Sequence, residues 1–376
     1  MNKKSWLFLT FTVFILAALL LPACSTETTT TTAAATTTAV KTTTVAPTTP
    51  VVAKTLKFSY TQPKNASVAK GFEWFGPEFE KRTGGRYKVE IYPASTLVST
   101  TAALDAVKSG VCEIVMTSVG SFPKDFPLTS VASLPTLGFY AKTADDSVNT
   151  YKAAMEFCTT IPEIQNEFKN YKLLSAMCLD PYNLISKKTE IHSAADFKGL
   201  KVGGSGGKME LVSSNGGAAV QQVPPNTYDN LQKGIIEAAF VNFSQVGDYH
   251  LYDLCDYYYT QDFGGGFMVI LMNWNTWNAL SAQDQEILMK TWEDARKVSG
   301  QGSLDSIAAG KEATIKAGKK ITEPTATEKA AWITGSAPAF AKWRKDSIAL
   351  GATDAILDKM LKDWQTIHDK YAALIK

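Results

Sequence analysis

His192 and His250 are the side chains that acid–base or nucleophilic chemistry would call on first. Neither has a Ser or Cys nucleophile motif beside it, and no HExxH or GxSxG run occurs. The expectation is a chain with no catalytic residue, no metal site and no cofactor. Gly204-Ser205-Gly206-Gly207, followed by Lys208 and Glu210, has the layout of a loop that cradles phosphate between a strand and a helix. It lacks the Gly-Lys-Ser/Thr of a P-loop. It therefore reads as a tight strand-to-helix turn that brings backbone amides, with their partial positive charge, close to something bound.

Cys24 has the clearest chemical role. Lys3 and Lys4 precede an apolar run from Trp6 to Leu21 that ends in Leu21-Pro22-Ala23-Cys24, the layout of a signal peptide over residues 1–23. The run is too short, and too abruptly ended, for a span of about 20 residues. A Cys directly after a small residue resembles the bacterial lipobox, so lipidation at Cys24 and attachment to a membrane are expected. Residues 24–54 are nearly all Thr, Ala, Val and Pro and offer no apolar face to bury, which makes them a solvated tether. Without Lys3 and Lys4, the 38 basic residues fall to 36 against 36 acidic ones, a balance that suggests no nucleic-acid partner. Export permits disulfides among Cys112, Cys158, Cys178 and Cys255, but no CxxC or zinc spacing appears and connectivity stays open. Cys112 lies in an apolar, strand-like run and reads as a buried free thiol, and a Cys158–Cys178 bridge is one option.

The elements that would position a site alternate in type. A strand at Leu56 to Tyr60 is followed by a helix over about Val68 to Thr83, a strand at Tyr87 to Tyr92, a helix near Thr100 to Ser109 and a strand at Cys112 to Ser118. Helices near Asp145 to Thr159 and Glu163 to Asn170 precede a second set of strands, beginning at Lys172 to Leu179 and Tyr182 to Lys187. The fold class is α/β with parallel or mixed sheets. Roughly 320 residues exceed what one core usually serves, so two lobes are expected. The first covers about 55–179 and 267–308, the second about 180–266 and 309–376. Ser281-Ala282-Gln283-Asp284 opens a helix that continues to about Lys319 despite Gly300, Gly302 and Gly310, which would make it about 50 Å long. That length suits a spine shared by both lobes.

Several phrases in this order resemble a known family. They are Glu80-Lys81-Arg82-Thr83-Gly84-Gly85 leading to Val89-Glu90-Ile91-Tyr92-Pro93, Leu104 to Gly110, Asp196-Phe197-Lys198-Gly199-Leu200-Lys201-Val202, Tyr228 to Ala238, and Met272-Asn273-Trp274-Asn275-Thr276-Trp277. Together they are similar to the extracytoplasmic solute-binding subunits of TRAP transporters, the DctP type, over Thr55 to Lys376. The resemblance implies a two-lobed periplasmic-binding-protein-like fold, type II-like, with crossing strands and a long lobe-spanning helix. It further implies that the lobes close on a small organic solute and deliver it to an integral-membrane TRAP permease without performing chemistry. A lipoprotein receptor feeding a membrane sensor is the alternative.

The ligand site is where the sequence departs from the family. Members that bind organic acids usually end the strand after Lys-Gly-Leu-Lys with an Arg that grips a carboxylate, and here that position is Gly203. A second such Arg falls on or near Asn183. Without those cations a standard dicarboxylate is not expected, and Lys187, Lys188 and Lys201 read as solvated surface lysines. Aromatic and amide groups would line the cleft instead, from Trp74, Phe122, Tyr182, Tyr228 and Phe240 together with Asn183, Asn242 and Gln245, suiting an aromatic or weakly anionic solute. Direct contact is favoured for Tyr182 and Phe240.

Overall fold

The computed structural model describes residues 53–375 except Thr136 and Tyr140, so the signal peptide, Cys24 and nearly all of the tether lie outside the described residues. Two mixed sheets organise the chain. The first part runs β1 (Lys54–Ser59), α1 (Ala69–Arg82), β2 (Tyr87–Tyr92), α2 (Ala103–Ser109), β3 (Ile114–Ser118), α3 (Ala144–Thr160), α4 (Pro162–Glu167) and β4 (Lys172–Cys178). The chain then crosses to β5 (Asn183–Ser186), β6 (Lys201–Gly204), α5 (Gly207–Ser214), β7 (Ala218–Gln221), α6 (Thr227–Gln232), β8 (Ala238–Val241), α7 (Phe243–Asp248) and β9 (Tyr257–Tyr259). It returns for β10 (Phe267–Met272), α8 (Trp274–Asn278) and α9 (Ala282–Lys316), and ends with β11 (Lys320–Thr322), α10 (Ala326–Gly335), α11 (Ala337–Ala349) and α12 (Asp354–Ala372).

The first sheet has the order β2-β1-β3-β10-β4 and the second β11-β9-β5-β8-β6-β7. In the first, β1 lies parallel to β2 and β3 while β10 runs antiparallel to β3 and β4. The sequence Phe-Met-Val-Ile-Leu-Met of β10 is buried at every position, as a central strand covered on both faces requires. Two extended segments join the lobes and hold each other in register. Leu179 N–H donates to Gly266 O at 2.8 Å, Tyr182 N–H to Gly264 O at 3.0 Å, and Phe263 N–H to Tyr182 O at 3.1 Å.

Helix α9 is a single run of 35 residues, about 50 Å at 1.5 Å per residue. It is capped by Ser281 Oγ, which accepts from Asp284 N–H at 3.1 Å. It packs on α1 and α3 of the first lobe and on α7 of the second. Its glycines are notches for these crossings. A Cβ on Gly302 would stand 2.6 Å from Ser67 O, and one on Gly310 2.8 Å from both Gly247 N and Phe243 O. Helix propensity is sacrificed there for close backbone approach.

One expectation is corrected. Sequence placed residues 309–376 in the second lobe, but α12 covers the first. Its stripe of Leu357, Met360, Trp364 and Ile367 belongs to the core that contains Phe157 and Phe267, with Trp364 edge-on to both at 5.0 and 6.0 Å. Helical spacing identifies the buried face but not the surface that receives it. All four described cysteines are free, and burial pushes the Cys112 thiol up to about 12.

Candidate functional site

Between the sheets, where the segments cross, lies a cavity of about 340 Å³. Loops at strand ends supply its walls: Gln62, Ser67 and Ser95 from the first lobe, and Ser205, Gln222 and Asn242 from the second. Ser205 stands in the glycine-rich turn before α5, so that turn does face the cavity. The floor is made by the end of β4 and by α9, which contributes Arg296, Ser299 and Ser303.

Arg296 is the most consequential of these. Its helical neighbours at the spacing of one face, Leu288, Trp292, Ala295 and Ser299, are buried, and Arg296 on that same face is only 4 % exposed. One guanidinium nitrogen donates to Ser175 Oγ at 3.0 Å, another to the soft acceptor Met177 Sδ at 2.9 Å, and the group lies 4.9 Å from the Tyr151 ring centre. Nε has no partner, and no carboxylate pairs with Arg296 among the described residues. Burial pulls its pKa down to about 10, so the group keeps its charge at neutral pH. A buried cation with unspent donors opening on a cavity is equipped to receive an anion.

The other wall carries Tyr182, whose ring has Lys208 Nζ 4.3 Å from its centre on the side of α5. Lys208 is itself buried, and desolvation takes its pKa down to about 8. Asn242 caps α7, its Oδ1 accepting from Gln245 N–H at 3.0 Å and from Ser244 Oγ at 2.8 Å. Gln245 Oε1 is buried without a partner. Asp248 bridges the lobes: it accepts from Ser67 N–H and Oγ at 3.0 and 2.9 Å and from Ser306 Oγ at 2.6 Å.

Of the nine residues that sequence nominated for ligand contact, Tyr182, Asn242 and Gln245 line the cavity. The other six do not. Phe240 packs in the second lobe's core, 5.0 Å from Phe263 and 6.0 Å from Phe197. Trp74 on α1 is half-buried under Arg82, Phe122 packs against the first lobe's core, and Tyr228 packs beside Leu231 and Ile236. Asn183 is buried in β5 and donates to Pro181 O at 3.2 Å. Gly203 lies beneath Gln222, whose amide would be 2.7 Å from any Cβ there. Gln222, held by Thr227 and Asn230, thus reaches the cavity over a position whose own side chain is missing. Lys187 and Lys201 point elsewhere, to Leu231 O and Gly234 O.

Two α/β lobes joined by crossing strands over a cavity lined with hydroxyls, amides and a buried guanidinium define a ligand-binding receptor. The chain belongs to the bacterial extracellular solute-binding protein family 7, DctP, whose profile matches residues 58–346. These are extracytoplasmic solute-binding proteins of TRAP transporters, receptors and not enzymes. A solute-binding protein of Chromohalobacter salexigens is 23 % identical over 265 residues, 69 % of this chain and 76 % of its own. The fold matches a TRAP periplasmic solute-binding protein of Desulfovibrio salexigens with a TM-score of 0.71 and 25 % identity, over 84 % of this chain and 96 % of that one. That protein is an open complex with the C-terminus of a symmetry mate in its ligand site. A TRAP solute-binding protein of Rhodoferax ferrireducens, in complex with copurified benzoate, matches with a TM-score of 0.75 and 23 % identity, over 86 % of this chain and all of its own. Among the described residues no helix is long and apolar enough to cross a membrane.

Proposed function

We propose that this protein captures a small organic acid between its lobes and presents it to a TRAP-type permease, the carboxylate seated on Arg296. The observation that carries this reading is the buried, carboxylate-free guanidinium on the cavity floor. Gly203 and Asn183 lack the cations expected at their positions, and the spine helix supplies one instead. The Rhodoferax relative's copurified benzoate is a carboxylate, the class of ligand proposed for this cavity. Tyr182, Asn242, Gln245 and Ser205 complete the contact surface. An N-terminal lipid on Cys24, with the Thr-rich segment as tether, holds the receptor near its permease and raises its effective concentration there.

A ligand that binds only the folded state raises the melting temperature. A thermal-shift screen of short aliphatic and aromatic monocarboxylates against their neutral amides tests the acid reading. The acids should raise the melting temperature and the amides should not. Equal shifts from acid and amide would refute it. Mass spectrometry of the mature N-terminus should find acyl chains that disappear in Cys24→Ala. Acylation that persists in that variant overturns the anchor.

A further inference from the structure

The cavity contains a second charged side chain that the protein leaves unpaired. Asp180 lies on the first crossing segment, between the backbone bonds that fix Leu179 to Gly266 and Tyr182 to Gly264, so its position is set by both connections at once. The other aspartate of the cavity, Asp248, has three donors, whereas Asp180 has no hydrogen bond and no ion pair among the described residues. Loss of water raises its pKa to about 6, with Lys311 pulling the other way from outside salt-bridge contact. Lys311 is exposed and stands 5.2 Å from the Phe243 ring centre.

A carboxylate held in a cavity without donors is costly, and an ion brought by the ligand removes that cost. Arg296 touches Met177, three residues before Asp180 in the chain, and Arg296 and Asp180 both line the cavity. The cavity therefore presents an unspent cation and an unspent anion from one stretch of floor, and Gln245 Oε1 adds a second acceptor without a donor. We infer that the solute is dipolar, an amino acid or ω-amino acid whose carboxylate lies on Arg296 and whose ammonium lies on Asp180. This rests on the reading of Arg296 as the carboxylate anchor.

Matched sets of probes test it by calorimetry on the mature chain. They are alanine with propionate, lactate and malonate; γ-aminobutyrate with butyrate, γ-hydroxybutyrate and succinate; and meta-aminomethylbenzoate with meta-toluate, meta-hydroxymethylbenzoate and isophthalate. In at least one set the ammonium member should bind about tenfold tighter than its relatives, the effect of one added charge-assisted contact. Asp180→Asn should erase that preference without weakening the plain acid, since it removes a like charge from the cavity. If plain, hydroxy or dicarboxylic acids bind at least as tightly in every set, the dipolar solute is excluded and the acid receptor stands. If Asp180→Asn weakens every member equally, Asp180 is structural and the inference falls. If nothing bearing a carboxylate binds, both readings fall.

Discussion

Arg296→Met separates a ligand anchor from a structural arginine, because the two predict opposite signs. In the empty protein the guanidinium is nine-tenths buried, and its contacts are one hydroxyl, one thioether and one ring. Those contacts are worth about 2 kcal/mol together. They stand against a desolvation cost of several kcal/mol for an ion with no counter-ion. Methionine fills most of the volume without the charge, so the empty variant should be more stable by about 1–3 kcal/mol, a rise of a few degrees in melting temperature. With an acid bound, the same substitution removes the partner of a buried carboxylate, which costs about 3 kcal/mol or roughly 150-fold in Kd. Scanning calorimetry of the empty protein and titration with the tightest acid read the two quantities separately. A variant that melts lower yet binds acids within twofold of the parent would refute the reasoning, because Arg296 would then be holding the fold and not the ligand.

Three further outcomes follow from other contacts. Gly310→Ala should cost about 2 kcal/mol in urea denaturation although Ala is the better helix former by about 1 kcal/mol, because its Cβ meets the α7 backbone at 2.8 Å. Asp248→Ala leaves the Ser67 N–H and hydroxyl without their acceptor, while the Ser306 hydroxyl keeps Ser244 O at 2.9 Å; a loss of about 2 kcal/mol and faster amide exchange at Ser67 are expected. Glu167 accepts from Leu128 N–H and Thr129, yet burial raises its pKa from 4.5 to about 7. Between those values the folded chain holds the proton more tightly than the unfolded one, so this group's contribution to stability is full below pH 4.5 and is lost as pH rises to 7. The parent's melting temperature should fall relative to that of Glu167→Gln as pH rises from 4.5 to 7, and the two should run parallel above pH 7.

The sheets and the spine were legible because their signals are local. Tyr87 to Tyr92 alternates, and the helix opened by Ser281 runs to Lys316 through three glycines that packing, not propensity, retains. The destination of α12 was not legible, since Trp364 and its stripe would suit either core. Strand ends pointed to Tyr182, Asn242 and Gln245, which line the cavity. Strand position does not say which side of a sheet a residue faces, and Phe240 turns into the core; nor does it show that the place of the absent side chain at Gly203 is filled by Gln222. Arg296 and Asp180 were overlooked. Arg296 carried a usable signal: a guanidinium in register with Leu288, Trp292 and Ser299, on the stripe of the spine that had to be buried. Asp180 carried none, because only the crossing of two segments distant in sequence makes its isolation visible.

The place of Arg296 on α9 bears on leverage. A gripping side chain carried by one lobe travels along an arc whenever that lobe turns, and its ligand must be re-aimed with it. A grip mounted on an axle that leans on α1, α3 and α7 alike stays near the pivot whichever half swings. In the proposed binding mode, solute seated there keeps one fixed end, and closure adjusts only the contacts around the other.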